Sequence, residues 1–474
     1  MLKKLLAKYR QIPVGVKAAL WFTVCNIAQK GISFITTPIF TRILTTEQYG
    51  EFTLYSSWQG IITIFATLNL FYGVYNNGMT KFSEDRPRFT SSLQGLSTVI
   101  TLFVAAIYLC SMEFWNQLLG LSTLYMLTMF VELLAIPAFN FWSASQRYDY
   151  RYKGLIVASM TISLATPLLG YIAVINTEYK AEARVLSVAL VQIVVGLIFY
   201  ALNMMRGKTF FHKDYWKYAL CFNLPLIPHY LSSVILNHSD HIMIGNMVGK
   251  SAAAQYSLAY TLAMVITVVT NAINASFTPF MYKSLKGKAY ATFRKTANML
   301  VLLVGTMSVL AMVVGPEFIA IIGPEEYRGA VWIIPPVAGS SFFIFLYPIF
   351  SNVEFYHDKT KYIMVASCAG AALNIALNYW LIPIFGFCAA GYTTLFCYII
   401  YSFAHCVFAR KLCKVYIGNQ IFDMRHIMTV SAGVMIAILL IPLLYNYFVP
   451  RLLLGIIVLA AIGLLSTKYF RMTR

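Results

Sequence analysis

The sequence predicts an all-α polytopic membrane protein of 14 transmembrane helices, with two six-helix lobes around a central cavity and two C-terminal helices beside them. Three observations predict it. Composition is 59% hydrophobic and only 11% charged, with a mean hydropathy of +0.70. Apolar runs long enough to cross a bilayer recur along the whole chain. The basic residues between those runs fall almost entirely on alternate gaps.

The runs lie at about 18–41, 53–75, 90–111, 118–140, 155–175, 185–204, 218–237, 253–281, 297–315, 331–352, 362–382, 387–408, 427–446 and 451–467. Alternating the gaps from the N-terminus puts 29 of the 36 Lys and Arg on the first side and 6 on the second, with Lys30 inside a span. The acids show no such split: 7 lie on the first side, 9 on the second, and Glu132 in a span. A bias confined to Lys and Arg marks the first side, with both termini, as cytoplasmic.

The gaps are too short for an extramembrane domain. The +19 net charge is spread over eight segments, so it reads as topology signal and contact with anionic membrane lipid, with no nucleic-acid partner. The first span carries Asn26, Gln29 and Lys30 and no small-residue cleavage site, as expected of a retained helix. The eight cysteines are scattered without a CxxC and read as reduced packing residues.

ILTTEQYGEFTL after the first span and, about 207 residues later, MVGKSAAAQYSLAYT share a short loop and a Gln-Tyr-small triplet before an aromatic-dotted span. Six spans precede the basic loop 206–217 and six more precede 410–426, so both halves enter from the same side. The expected organisation is an N-terminal lobe at 1–205, a C-terminal lobe at 206–411, and a helix pair at 412–474. Parallel repeats of this kind suit a transporter that rocks one lobe against the other.

Several spans carry polar groups at three- to four-residue spacing. These are Asn26, Gln29/Lys30, Ser33 and Thr37; Ser56, Gln59, Thr63 and Thr67; Tyr125, Thr128 and Glu132; His229 and Ser232/Ser233; and Thr267, Thr270/Asn271, Asn274 and Thr278. Such stripes belong to a wet or protein-lined interior, and each residue is read as cavity lining or as an ordinary interhelical hydrogen bond.

Charges at depth demand more. Lys30 near the midplane costs about 2.5–3.5 kcal/mol on insertion scales. It either pairs with Glu132, the only acid at similar depth, or attracts a phosphate with help from Arg42 while Glu132 titrates. His229 follows Pro225 and Pro228, which kink their helix and free carbonyls; it is a packing residue or a ligand. Asp240, flanked by His238 and His241, falls beyond the seventh run near the outer interface, as a solvated loop or a proton-accepting gate. Prolines at 38, 137, 167, 279, 335, 336, 348 and 383 allow bends.

No GxxxxGK[ST], HExxH, GxSxG or paired-Cys pattern is present, so direct ATP use and common hydrolytic or metal chemistry are not expected. An enzyme is not expected and no cofactor is called for.

Four segments resemble the polysaccharide transporter family, the O-antigen and lipid-linked oligosaccharide flippases of the multidrug/oligosaccharidyl-lipid/polysaccharide superfamily. They are TRILTTEQYGEFTL, LPLIPHYLSSVILNHSDHIMIG, IIGPEEYRGA and NIALNYWLIPIFGFCAAGYTT. The resemblance implies a flippase in the bacterial cytoplasmic (inner) membrane. It would move undecaprenyl diphosphate-linked oligosaccharide repeat units of O-antigen or capsule type, in lipopolysaccharide or related polysaccharide biosynthesis. A polysaccharide polymerase and a chain-length regulator are candidate partners, and H⁺ or Na⁺ the candidate coupling ion.

Each sugar hydroxyl carried unpaired through hydrocarbon costs about 1–3 kcal/mol or more, so such a unit needs a polar path. The expected substrate-binding residues are Asn26, Lys30, Arg42, Gln59, His229, Asn271 and Asn274, with Glu132 and Asp240 for ion coupling. A Na⁺/H⁺-coupled multidrug exporter of the same superfamily and a membrane polysaccharide polymerase, acting through Glu325, Glu326 or Arg328, are the alternatives.

Overall fold

The computed structural model describes residues 13–357 and 359–471, without the side chains of 360, 361 and 461–471. The basic N-terminal segment 1–12 lies outside the described residues. The described chain is helical throughout, as required where lipid offers backbone groups no partner.

In order, the helices are α1 (Val14–Ile43), α2 (Thr46–Thr67), α3 (Gly73–Lys81), α4 (Arg86–Cys110), α5 (Met112–Leu119), α6 (Thr123–Tyr148), α7 (Tyr152–Ile175), α8 (Lys180–Gly207), α9 (Lys213–Asn223) and α10 (Ile227–Met247). There follow α11 (Lys250–Lys286), α12 (Tyr290–Val313), α13 (Gly315–Ile322), α14 (Ile334–Tyr356), α15 (Thr360–Phe385), α16 (Cys388–Leu412), α17 (Met424–Leu440) and α18 (Phe448–Arg471). Among the described residues, 11 helices are long and apolar enough to span a membrane. α1 and α2 are long enough but fall short in apolarity, because they carry the polar stripes. Prolines 38, 137, 167, 279, 348 and 383 lie inside helices, where each removes a backbone donor.

Two boundaries differ from the hydropathy reading. The run 53–75 is not one span: α2 ends at Thr67, and Leu68 and Asn69 take left-handed backbone (φ 48° and 50°) before α3. The seventh span does not stop at 237. A 3-10 turn at Leu224–Leu226 separates α9 from α10, and α10 continues to Met247, taking Asp240 inside the helix.

The chain forms two compact units. Unit 1 comprises Met1–Leu44 and Leu54–Val234; unit 2 comprises Thr45–Thr53 and Ile235–Arg474. Unit 1 has an aromatic core in which Tyr75, Phe89, Phe141 and Tyr215 are buried and Phe82 packs against them. A buried amide network pins its helices: Asn203 donates to Gln94 Oε1 (2.9 Å) and to the Ala138 carbonyl (3.0 Å), and Gln94 donates to the Tyr200 carbonyl. Such polar links supply cohesion where lipid removes the hydrophobic drive.

Within unit 2 the two related segments meet. Ser251 donates to Thr46 Oγ1 at 2.8 Å, and Lys250 pairs with Glu51 at 3.2 Å. Gly50 permits this approach: a Cβ there would lie 1.9 Å from the Lys250 carbonyl oxygen. The C-terminal helices are tied on by Arg451, 3% exposed, which hydrogen-bonds Glu317 and lies against the Tyr445 ring.

Candidate functional site

In unit 1, α1 packs on α7, and Gln29 donates across that contact to the Ser159 carbonyl at 3.2 Å. On the same stripe Asn26 and Lys30 remain exposed. Among the described residues Lys30 forms no ion pair, with Glu132 or any other acid. Arg42 is exposed and its guanidinium donates to the Pro38 carbonyl at 2.9 Å.

Glu132 is fully buried (0%) on α6 and accepts a hydrogen bond from the Tyr55 hydroxyl at 3.0 Å. Its Oε1 has no partner among the described residues, and half-buried Gln59 lies beside it. α2 therefore presents both Tyr55 and Gln59 to the acid, at i and i+4.

Two unwound segments of unit 1 come together beside His229. The buried Asn223 amide donates to the Leu68 carbonyl at the broken end of α2. Tyr230 on α10 lies over Tyr72 (centroids 6.4 Å). Interrupted helices leave backbone groups to be satisfied by neighbours, and Asn223 does so here. His229 itself is half-buried.

Unit 2 holds the densest buried polar cluster, around Asp240 (2% exposed). Asp240 Oδ1 accepts from Asn378 Nδ2 (2.7 Å); Oδ2 accepts from Tyr256 (2.6 Å) and Thr394 (2.5 Å). Asn374 donates to Thr394 Oγ1 (3.1 Å) and accepts from Ser239 (2.7 Å), while Thr393 donates to Asn378 Oδ1. α10 brings Ser239 and Asp240, α11 brings Tyr256, α15 the two asparagines and α16 the two threonines.

Asp240 is thus neither in a loop nor solvated. Hydropathy cut the span short because His-Ser-Asp-His is polar, yet α10 continues, with Ser239 and Asp240 hydrogen-bonded to neighbouring helices. His241 packs edge-on to Tyr256 and Tyr260. Asn374 and Asn378 belong to the NIALNYW segment, where their i, i+4 spacing puts both on one helix face.

The carboxylate is met by one amide N–H and two hydroxyl donors, and a proton or a monovalent hard cation would take the place of one of these donors. Among the described residues no three His, Cys, Asp or Glu cluster as a transition-metal site would need. Asn271 is exposed; Asn274 is half-buried with Oδ1 unpartnered. Glu325 and Arg328 pair with each other at 2.8 Å, and both are exposed.

Residues 16–285 match the family described as "Polysaccharide biosynthesis protein", and residues 225–380 match MatE. "Lsg locus putative protein 1" of Haemophilus influenzae is 22% identical over 373 residues, covering 76% of this chain and 89% of the relative. An uncharacterized membrane protein of Methanocaldococcus jannaschii is 20% identical over 454 residues, covering 89% and 88%. Among solved structures, the lipid II flippase MurJ in an inward closed conformation has a TM-score of 0.68 at 12% identity, covering 96% of this chain and 100% of its own. An inward-facing MATE-family multidrug resistance transporter has a TM-score of 0.58 at 13% identity, covering 82% and 96%. The fold is therefore that of the MurJ and MATE proteins. With more than half its length matched, the chain belongs to the family described as "Polysaccharide biosynthesis protein".

Proposed function

We propose that this protein is an inner-membrane flippase that carries undecaprenyl diphosphate-linked oligosaccharide repeat units from the inner to the outer leaflet by alternating access. The observation that carries the reading is the α1 stripe: Asn26 and Lys30 stay exposed on a helix too polar to be an ordinary span. A cation kept at that depth, unpaired among the described residues, needs an anionic ligand or water. A diphosphate supplies the ligand. The family match and the likeness to a lipid II flippase support the same class of cargo.

In this reading Lys30 and Arg42 meet the diphosphate. Asn26, Gln59, His229, Asn271 and Asn274 exchange hydrogen bonds with sugar hydroxyls, replacing those lost from water. Asp240, with Asn374, Asn378, Thr393 and Thr394, takes the coupling ion, Na⁺ or H⁺, and Glu132 is a second ionisable group. The deciding experiment is deletion of the coding gene. Lipid-linked repeat units should accumulate facing the cytoplasm while surface polysaccharide is lost; normal surface glycan defeats the proposal.

The match of residues 225–380 to MatE favours an ion-coupled exporter as the second reading. That reading predicts altered sensitivity of the deletion strain to cationic compounds with surface glycan intact.

A further inference from the structure

Three helix ends of unit 1 enclose a polar cavity of about 260 Å³. They are the turn into α4, the end of α6 and the last turn of α8, all on the side that the Lys and Arg bias marks as cytoplasmic. Arg86, Arg151 and Arg206 line the cavity, against two acids, Glu84 and Asp149. One positive charge is left in excess.

The arginines are not equivalent. Arg86 is set in place: its Nε donates to the Met79 carbonyl at 3.0 Å, its Nη1 lies 3.4 Å from Asp149 Oδ1, and its guanidinium lies over the Tyr148 ring. Its Nη2 has no partner among the described residues. Arg151 stands 3.9 Å from Asp149 Oδ2, so two cations offset that acid. Arg206 is exposed, and among the described residues its side chain makes no hydrogen bond or ion pair.

Gln146 is a second sign of a ligand. It lines the cavity at only 8% exposure, and among the described residues its side-chain amide has no hydrogen-bond partner. A buried amide without a protein partner is satisfied by water or by a bound group. The position narrows that group. Trp142 forms one wall and packs against Phe199 with centroids 4.3 Å apart, an aromatic pair of the kind that sits at headgroup level. The volume is below the roughly 300–1,000 Å³ of pockets that enclose drug-sized ligands, which suits a phosphate with a small headgroup and not an oligosaccharide.

We propose that this cavity binds the phosphate of an anionic lipid from the adjoining leaflet, as a site of unit 1 separate from the Lys30 stripe. Arg86 presents a fixed fork, Arg206 closes on the phosphate from α8, and the Gln146 amide donates to a headgroup oxygen. The acyl chains remain in the bilayer. The site is independent of what the protein carries.

The full chain in detergent would be titrated with phosphatidylglycerol, phosphatidylcholine or inorganic phosphate, and bound molecules counted by native mass spectrometry. The natural protein should hold phosphatidylglycerol at least about fivefold more tightly than phosphatidylcholine, whose headgroup carries its own cation. Millimolar inorganic phosphate should leave that lipid in place. Arg206→Gln should weaken phosphatidylglycerol about fivefold without moving the unfolding midpoint of the lipid-free protein. Gln146→Leu, which removes a donor but no charge, should weaken it about threefold or more. Lys286→Gln, an equal loss of charge at the exposed end of α11 in unit 2, should leave it unchanged.

Equal affinity for the two lipids overturns the proposal, as does unchanged binding in Arg206→Gln or in Gln146→Leu. A loss in Lys286→Gln equal to that in Arg206→Gln reduces the effect to overall charge and overturns it too. Displacement by inorganic phosphate would make the ligand a soluble phosphate, and the assignment to a lipid fails.

Discussion

The side-chain amide of Asn378 donates to Oδ1 of Asp240 at 2.7 Å, joining residues 138 positions apart in sequence. With Tyr256 and Thr394 on Oδ2, every arm of the cluster converges on one carboxylate. Asp240→Asn keeps the shape but removes the charge that a coupling ion would neutralise. Transport of the lipid-linked unit into the outer leaflet should then lose its response to a sodium or pH gradient, at unchanged expression. Asn378→Ala leaves Asp240 Oδ1 without its donor and should cost about 1–3 kcal/mol in thermal unfolding. An ion response surviving in Asp240→Asn removes this residue from coupling.

Lys30 offers a test of cargo charge. Lys30→Ala should abolish export of surface polysaccharide, whereas Lys30→Arg should retain part of it, because a guanidinium preserves charge but not the geometry of a point donor. Since Lys30 is exposed and makes no ion pair among the described residues, neither change should disturb folding. Normal export by Lys30→Ala at normal expression refutes the diphosphate role.

Much of the architecture was legible because lipid imposes a simple rule: long apolar helices with their backbone groups paired internally. Breaks in that rule were legible only in part. The run 53–75 reads as continuous because Leu70 and Phe71 are as apolar as the helix before them, and hydropathy does not register the left-handed turn at Leu68 and Asn69. Asp240 looked like the edge of a span because its partners, Tyr256, Asn378 and Thr394, arrive from three other helices. Glu354 fell just past the tenth apolar run for the same reason, although α14 extends to Tyr356. A buried charge announces its cost in the sequence; the residues that offset it come from distant positions.

Gly50 tests the meeting of the two related segments inside unit 2. Gly50→Ala would set a Cβ against the Lys250 backbone carbonyl, which cannot rotate away as a side chain can. The segment should shift, at a cost of about 1–3 kcal/mol. Thermal unfolding would report it, and a midpoint equal to that of the natural protein would contradict the close approach.

Asp423 caps α17, accepting from the His426 backbone N–H at 3.2 Å and from Asn298 Nδ2 at 3.0 Å. The His426 backbone bond first, with help from the Asn298 amide, holds its carboxyl below the ordinary carboxylate value. A lowered folded value means the stabilisation is present above the unfolded value, about 3.9, and fades as pH falls through the lower folded one. Asp423→Ala should therefore cost about 1 kcal/mol at neutral pH. The gap in unfolding midpoint between natural and variant protein should close as pH falls below about 4. A gap that stays constant with pH would show that the charge of the cap contributes nothing.

Glu132 and Tyr55 separate a structural acid from a titrating one. The carboxylate is buried, takes one hydrogen bond from the Tyr55 hydroxyl, and keeps Oε1 unpartnered among the described residues. Tyr55→Phe removes that donor and leaves a buried acceptor unsatisfied, at a cost of about 1–3 kcal/mol. Glu132→Gln retains an acceptor for Tyr55 and should leave stability nearly unchanged. If Glu132 carries a proton during the cycle, the glutamine variant should fold normally yet show a blunted dependence of transport on the proton or sodium gradient. An unaltered dependence, together with a destabilised Tyr55→Phe, would make the pair a structural clasp between α2 and α6. The two variants then read different properties of one contact, and only loss of the gradient response in Glu132→Gln assigns the acid to coupling.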